Sequence, residues 1–176
     1  MVRVALDAEG GDYGLAGTVE GAANLSREDT DIQVILVGDT GRISERLERL
    51  RYDPTRLTVC HADGAVQMSE DPRAALERMP RASVLVAASL VAEGSADALV
   101  SAGHTGATIL ASARSFNRLP GIQRTALAAV YPTEQRHGPR RDPFALMLDV
   151  GATLHVNAEE LASFAVMGSA YSSVVS

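Results

Sequence analysis

Two glycine-rich segments of this chain combine backbone N–H groups with side chains that can handle an anion and a proton. The first, Asp7-Ala8-Glu9-Gly10-Gly11-Asp12, sets Gly10 and Gly11 between the carboxylates of Asp7 and Asp12. Paired glycines let the backbone turn tightly and come close to a ligand. A tight turn whose aspartate caps the next helix accounts for the same residues equally well. The second, Ser101-Ala102-Gly103-His104-Thr105-Gly106-Ala107, ends a strand and opens a helix, where unpaired N–H groups and the positive dipole end suit a phosphate. Ser101 and Thr105 add hydroxyl donors, and Gly103 and Gly106 allow close approach. His104 is either an acid, base or hydrogen-bond donor near neutral pH, or an exposed loop histidine. Two weaker candidates follow: Arg124, a phosphate clamp or a surface ion-pair partner, and Asp149 with Gly151, a ligand loop or a capped turn.

Other chemistries find no footing in these residues. All sixteen basic residues are Arg, so neither the lysine of a Walker-type phosphate loop nor a Schiff-base lysine is present. The first glycine segment lacks the Gly-x-Gly-x-x-Gly spacing of a dinucleotide site, and no Gly-x-Ser-x-Gly elbow occurs. The four histidines have neither the spacing nor the cysteine partners of a zinc site. Neither a metal nor a cofactor is expected.

Loops of this kind need strands to hold them. Apolar runs at residues 2–6, 32–37, 57–61, 98–101, 126–131 and 144–150 are nearly continuous rather than alternating, as in strands covered on both faces. Between them, residues 16–25, 41–50, 83–93 and 106–116 carry helical apolar faces. Asn157 opens a last helix, with Glu160 placed for a capping box. This alternation predicts an α/β fold: an open, mainly parallel sheet with helices on both faces. Ligands in such sheets bind beyond the carboxyl ends of the strands, where the candidate loops fall.

The 176 residues, 46% of them hydrophobic, predict a single α/β domain over 1–176. A net charge of −6 argues against affinity for nucleic acid. Every apolar run is broken by Arg, Asp, Glu or Gly, which predicts a soluble, cytoplasmic protein. Cys60 is expected to be a buried strand-end thiol. Residues 134–142, with Arg136, Arg140 and Arg141, are expected to form a solvated polar loop ahead of the alternative, a docking patch for an acidic partner. The helix over 157–175 is apolar nearly all round, which predicts cover from further polypeptide or a second subunit.

In order, these segments resemble the PlsX family of phosphate acyltransferases from Val4 to Val175. The resemblance is carried by Ala5-Leu6-Asp7-Ala8 with Gly10-Gly11-Asp12, Ile35-Leu36-Val37-Gly38, Val100-Ser101-Ala102-Gly103 with Thr105-Gly106-Ala107, Leu119-Pro120-Gly121-Ile122, Leu148-Asp149-Val150-Gly151-Ala152 and Phe164-Ala165-Val166-Met167-Gly168-Ser169. It implies a fold akin to the isocitrate and isopropylmalate dehydrogenases and the phosphate acetyltransferases, and a chain resembling the amino-terminal part of a longer family fold. It also implies a homodimer, acyl-carrier protein and inorganic phosphate as substrates, and peripheral membrane association. The implied reaction moves a fatty acyl group from the carrier to phosphate, giving acyl phosphate for phospholipid synthesis. His104 and Asp12 would manage protons, while Asp7, Gly10, Gly11, Ser101, Gly103, Thr105, Gly106, Arg124, Asp149 and Gly151 would meet substrate. The chain departs from the family pattern at Glu9, Tyr13 and Leu15, usually Met, Asn and Pro, and at Glu77, usually basic. His104, Thr153 and His155 depart too, the first standing for Asn and the others for Asn and Asp. Two other functions are compatible with these changes: a non-catalytic homologue or fragment that binds phosphate or carrier protein, and an acyltransferase using a short acyl-CoA.

Overall fold

The computed structural model describes residues 1–28, 31–137, 142–153 and 155–175. It divides into two compact units, Met1–Asn117 and Arg118–Ser176.

The first unit holds a four-stranded sheet of β1 (Val2–Asp7), β2 (Ile32–Gly38), β3 (Leu57–His61) and β4 (Ala98–Ser101), in the order β3-β2-β1-β4. All neighbouring pairs are parallel. Successive side chains of β2 point to opposite faces, and each face meets a different set of helices. Val34 and Leu36 pack with Leu15 and Val19 of α1 (Gly14–Ser26) and Ile43 and Leu47 of α2 (Thr40–Leu47). Val37, with Ala5 of β1, packs with Ala87 of α4 (Ser83–Ala92). Leu36, Ile43 and Val19 are fully buried, each worth about 1.5–3 kcal/mol of hydrophobic transfer. A third cluster joins α3 (Pro72–Arg78), α4 and α5 (Thr105–Ser115) through Leu76, Val84, Ala107 and Ala111. The parallel sheet with helices on both faces is thus present in this unit.

The order β2-β1-β4 has a structural consequence. The chain leaves β1 toward β2 on one side, while β4 lies on the other, so the carboxyl ends of β1 and β4 form a topological switch point where a crevice opens.

In the second unit, β5 (Ala128–His137) and β6 (Asp142–Leu148) form a separate antiparallel pair, and α6 (Ala158–Val175) follows. These two strands were expected in the parallel sheet. An apolar run reads the same in either setting, since periodicity reports burial and not the pairing partner. Both ends of the polar loop expected over 134–142 are strand instead. Residues 134–137 extend β5, Asp142 begins β6, and 138–141 lie outside the described residues. The expected capping box of α6 is present: the Asn157 N–H donates to Glu160 Oε2 and the Glu160 N–H donates to Asn157 Oδ1, both at 2.9 Å. Phe164 of α6 is buried, whereas Leu161, Val166, Tyr171 and Val174 are exposed. No helix among the described residues is long and apolar enough to cross a membrane. Cys60 is half-buried in β3.

Candidate functional site

Register brings the two glycine loops together. Asp7 and Ser101 are the last paired residues of β1 and β4. Asp7 is only 2% exposed, so its carboxylate needs partners to offset lost hydration. It has them: the Ser101 hydroxyl donates to Oδ2 at 2.7 Å and the Glu9 N–H donates to Oδ1 at 3.2 Å. Ser101 Oγ in turn accepts from the Gly103 N–H at 3.1 Å. The chain Glu9, Asp7, Ser101, Gly103 is therefore a buried tie between the two loops. Asp7 and Ser101 were expected to meet substrate, and in this geometry their polar atoms face each other.

Beyond the tie the backbones cross. A Cβ on Gly10 would stand 2.7 Å from the Gly103 nitrogen and 2.9 Å from its Cα, closer than side chains tolerate. Glycine at Gly10 is thus required by the approach of backbone to backbone. Next to the crossing lies an open cleft of about 400 Å³, lined by Gly10, Gly11, Asp12, Gly14, Thr18 and Ala102 among others. Asp12 is exposed on its wall. Thr18 and Gly14 were absent from the expected site, and Ala102 stood there only as a member of the second loop with no role of its own. Their signal was slight, because Thr18 lies a full turn into α1 and its hydroxyl donates to the Ala8 carbonyl at 2.5 Å.

His104 is the N-cap of α5, with φ −65° and ψ 110°. Its Nδ1 accepts from the Ala107 N–H at 3.4 Å, a long contact in which the ring does the work of a capping side chain. The ring was expected to be an acid, a base or a donor, and here one of its nitrogens is an acceptor for the helix. Thr105 and Gly106, in the first turn of α5, have N–H groups with no acceptor inside the helix. The lining of the cleft does not include His104, Thr105 or Gly106.

Arg124, Asp149 and Gly151 belong to the second unit. Arg124 Nε pairs with Glu160 at 3.1 Å, the ion-pair role open to it from sequence. Asp149 has φ 59°, the one positive value outside glycine among the described residues. Its carbonyl accepts from the Gly151 N–H at 2.8 Å, and its Oδ1 is buried without a partner among the described residues. Among the described residues no group of three or more His, Cys, Asp or Glu is placed to hold a metal ion.

Comparison with known proteins adds to this geometry. The profile of the family described as fatty acid synthesis protein matches residues 2–176. The chain belongs to that family. Curated relatives carry the name phosphate acyltransferase. The protein of Desulfitobacterium hafniense is 44% identical over 171 residues, covering 97% of this chain and 48% of its own length. That of a Cyanothece species is 40% identical over 173 residues, covering 98% and 48%. That of Neisseria meningitidis is 38% identical over 169 residues, covering 96% and 46%. The chain therefore spans about half the length of the curated relatives it matches. Among solved structures, EutD phosphotransacetylase from Staphylococcus aureus aligns with a TM-score of 0.60 at 18% identity, over 94% of this chain and 51% of that one. At that identity the likeness concerns the fold.

Proposed function

We propose that this member of the fatty acid synthesis protein family takes part in acyl transfer from acyl-carrier protein to inorganic phosphate, giving acyl phosphate for phospholipid synthesis. The observation that carries the reading is the crossing of two glycine loops at the switch point of the sheet, held by the buried Asp7–Ser101 tie beside an open cleft. Family membership supports it, since the curated relatives are named phosphate acyltransferases.

In the reaction a phosphate oxygen attacks the thioester carbonyl carbon. A carbon–oxygen bond forms, the carbon–sulfur bond breaks, and the thiolate leaves and takes up a proton. The site must lower the charge on phosphate, align it with the carbonyl and donate to the developing oxyanion. Backbone N–H groups of Gly10, Gly11, Thr105 and Gly106 suit those tasks, because fixed dipoles need not reorganise as charge develops. Asp12, exposed on the cleft wall, is the candidate proton carrier. His104 retains Nε2 for that purpose while Nδ1 caps α5. On the second unit, Arg124, Asp149 and Gly151 are proposed as substrate contacts of that unit. The finer reading of the fold as isocitrate/isopropylmalate dehydrogenase-like, the place of residues 1–176 as an amino-terminal α/β domain of a longer fold, a homodimer, peripheral membrane association and a cytoplasmic location belong to the same proposal.

The test is phosphate-dependent release of thiol from fatty acyl-carrier protein, with short acyl-CoA as a competing donor. Release from the carrier donor that depends on phosphate is the expected result. Preference for short acyl-CoA would move the reading to the phosphate acetyltransferase type. A second reading, a non-catalytic phosphate binder, is favoured by the use of His104 as a helix cap. Phosphate binding without thiol release would establish it, and absence of both would overturn the site.

A further inference from the structure

Glu9 stands between the two carboxylates of the first glycine loop, yet it faces neither the cleft nor solvent. Its side chain is only 7% exposed, a costly place for a carboxylate without partners. Both oxygens are engaged where β2 leads into α2, one by the N-cap residue and one by the first turn of the helix. Oε1 accepts from the Asp39 N–H at 3.0 Å, and Oε2 accepts from Arg42 Nη1 at 2.9 Å. Asp39 is itself the N-cap of α2, its Oδ1 accepting from the Arg42 N–H at 2.8 Å. The carboxylate of Glu9 therefore lies at the first turn of α2, where the helix dipole favours negative charge. Room for it comes from Gly38, where a Cβ would stand 3.0 Å from Glu9 Cγ and 3.3 Å from Oε1.

We propose that Glu9 is a positioning residue, a clasp that fixes the Gly10-Gly11-Asp12 loop to the start of α2 and so holds the loop in its phosphate-binding shape. The Asp7–Ser101 tie secures the loop to β4 on one side, and the clasp secures it to β2 and α2 on the other. Between the two anchors only Gly10, Gly11 and Asp12 are left to meet a ligand. Arg42 is 63% exposed, so its ion pair contributes less than the part-buried bond from Asp39. The idea rests on the reading of this loop as an anion site, and its test separates the two.

The test uses the full chain with Glu9→Ala, Glu9→Gln and Arg42→Ala, and two readouts: amide hydrogen exchange at Ala8 and Glu9, and calorimetric affinity for inorganic phosphate. Glu9→Ala should speed exchange at these amides about tenfold and weaken phosphate binding about tenfold, while exchange at Leu36 and Val59 stays unchanged. Glu9→Gln keeps the acceptor for Asp39 and should stay within about threefold of the native chain on both readouts. Arg42→Ala should cost about threefold, and the double variant Glu9→Ala/Arg42→Ala should match Glu9→Ala alone, because the two share one contact. Unchanged exchange at Ala8 and Glu9 in Glu9→Ala overturns the clasp. So do additive effects of the two substitutions, or equal loosening at Leu36 and Val59. If Glu9→Ala fails to fold, Arg42→Ala decides: exchange about threefold faster at Ala8 and Glu9 with Leu36 and Val59 unchanged keeps the clasp, and unchanged exchange at Ala8 and Glu9 overturns it. If the native chain binds no phosphate, the site reading fails, and the exchange readout alone still judges the clasp.

Discussion

At the scale of single residues, the site is organised by what is missing as much as by what is present. Gly10 has no room for a side chain against Gly103, so Gly10→Ala should cost about 1–3 kcal/mol of stability through overpacking. It should also weaken phosphate binding by separating the loops. Chemical denaturation alongside phosphate calorimetry checks both effects, and unchanged stability would mean that the crossing is looser than 2.7 Å implies. His104 caps α5 through a long 3.4 Å contact, where a short amide side chain fits the role better. His104→Asn should therefore hold or raise stability by up to about 1 kcal/mol, while His104→Ala should lose about 1 kcal/mol. Thermal melts of the two variants give the order. A loss in His104→Asn equal to that in His104→Ala would show that the imidazole has a task beyond capping.

At the scale of elements, the strands that hold the loops are themselves pinned. Arg3 of β1 donates to Asp97 just before β4 through its backbone N–H and guanidinium, at 2.8 Å from N to Oδ2 and 2.8 Å from Nη2 to Oδ1. The side-chain bond from Arg3, then the backbone bond, pull the Asp97 carboxyl down to about 2. A carboxylate whose folded value is depressed stabilises fully above the ordinary carboxylate range and loses that contribution as pH falls toward the folded value. Asp97→Asn should thus lower the melting temperature near neutral pH, and the gap to the native chain should close as pH falls from about 4 to about 2. A gap independent of pH would remove the charge from the account. The sheet and the helices α1, α2, α4, α5 and α6 were legible in sequence because long runs with a clear period report burial directly. The seven-residue α3 was not, since one pair of turns offers little periodicity, although Asp71 capping before Pro72 marks its start. Pairing of β5 with β6 was illegible for a different reason: partner choice is set by chain topology and not by the run itself. The glycine loops could be found from residue types. What sequence could not give was the direction of Asp7 and Ser101 toward each other, which follows from the register of β1 on β4.

At the scale of the whole molecule, each unit has its own kind of surface. The second exposes Leu161 at 55%, Val166 at 69% and Val174 at 75% along α6, more apolar surface than a lone helix face usually leaves to water. The chain should therefore associate with itself at micromolar concentration. Sedimentation equilibrium checks this, and a single monomeric species across concentrations would contradict it. The first unit carries the switch-point loops, and the central claim is that they bind phosphate through backbone N–H groups. The most direct measurement is a titration of the isotope-labelled chain with inorganic phosphate, followed by amide resonances. Saturable shifts are expected at Gly10, Gly11, Thr105 and Gly106, larger than those at the exposed Arg42 and Arg49. Shifts confined to surface arginines, or none at the two glycine loops, would contradict that claim.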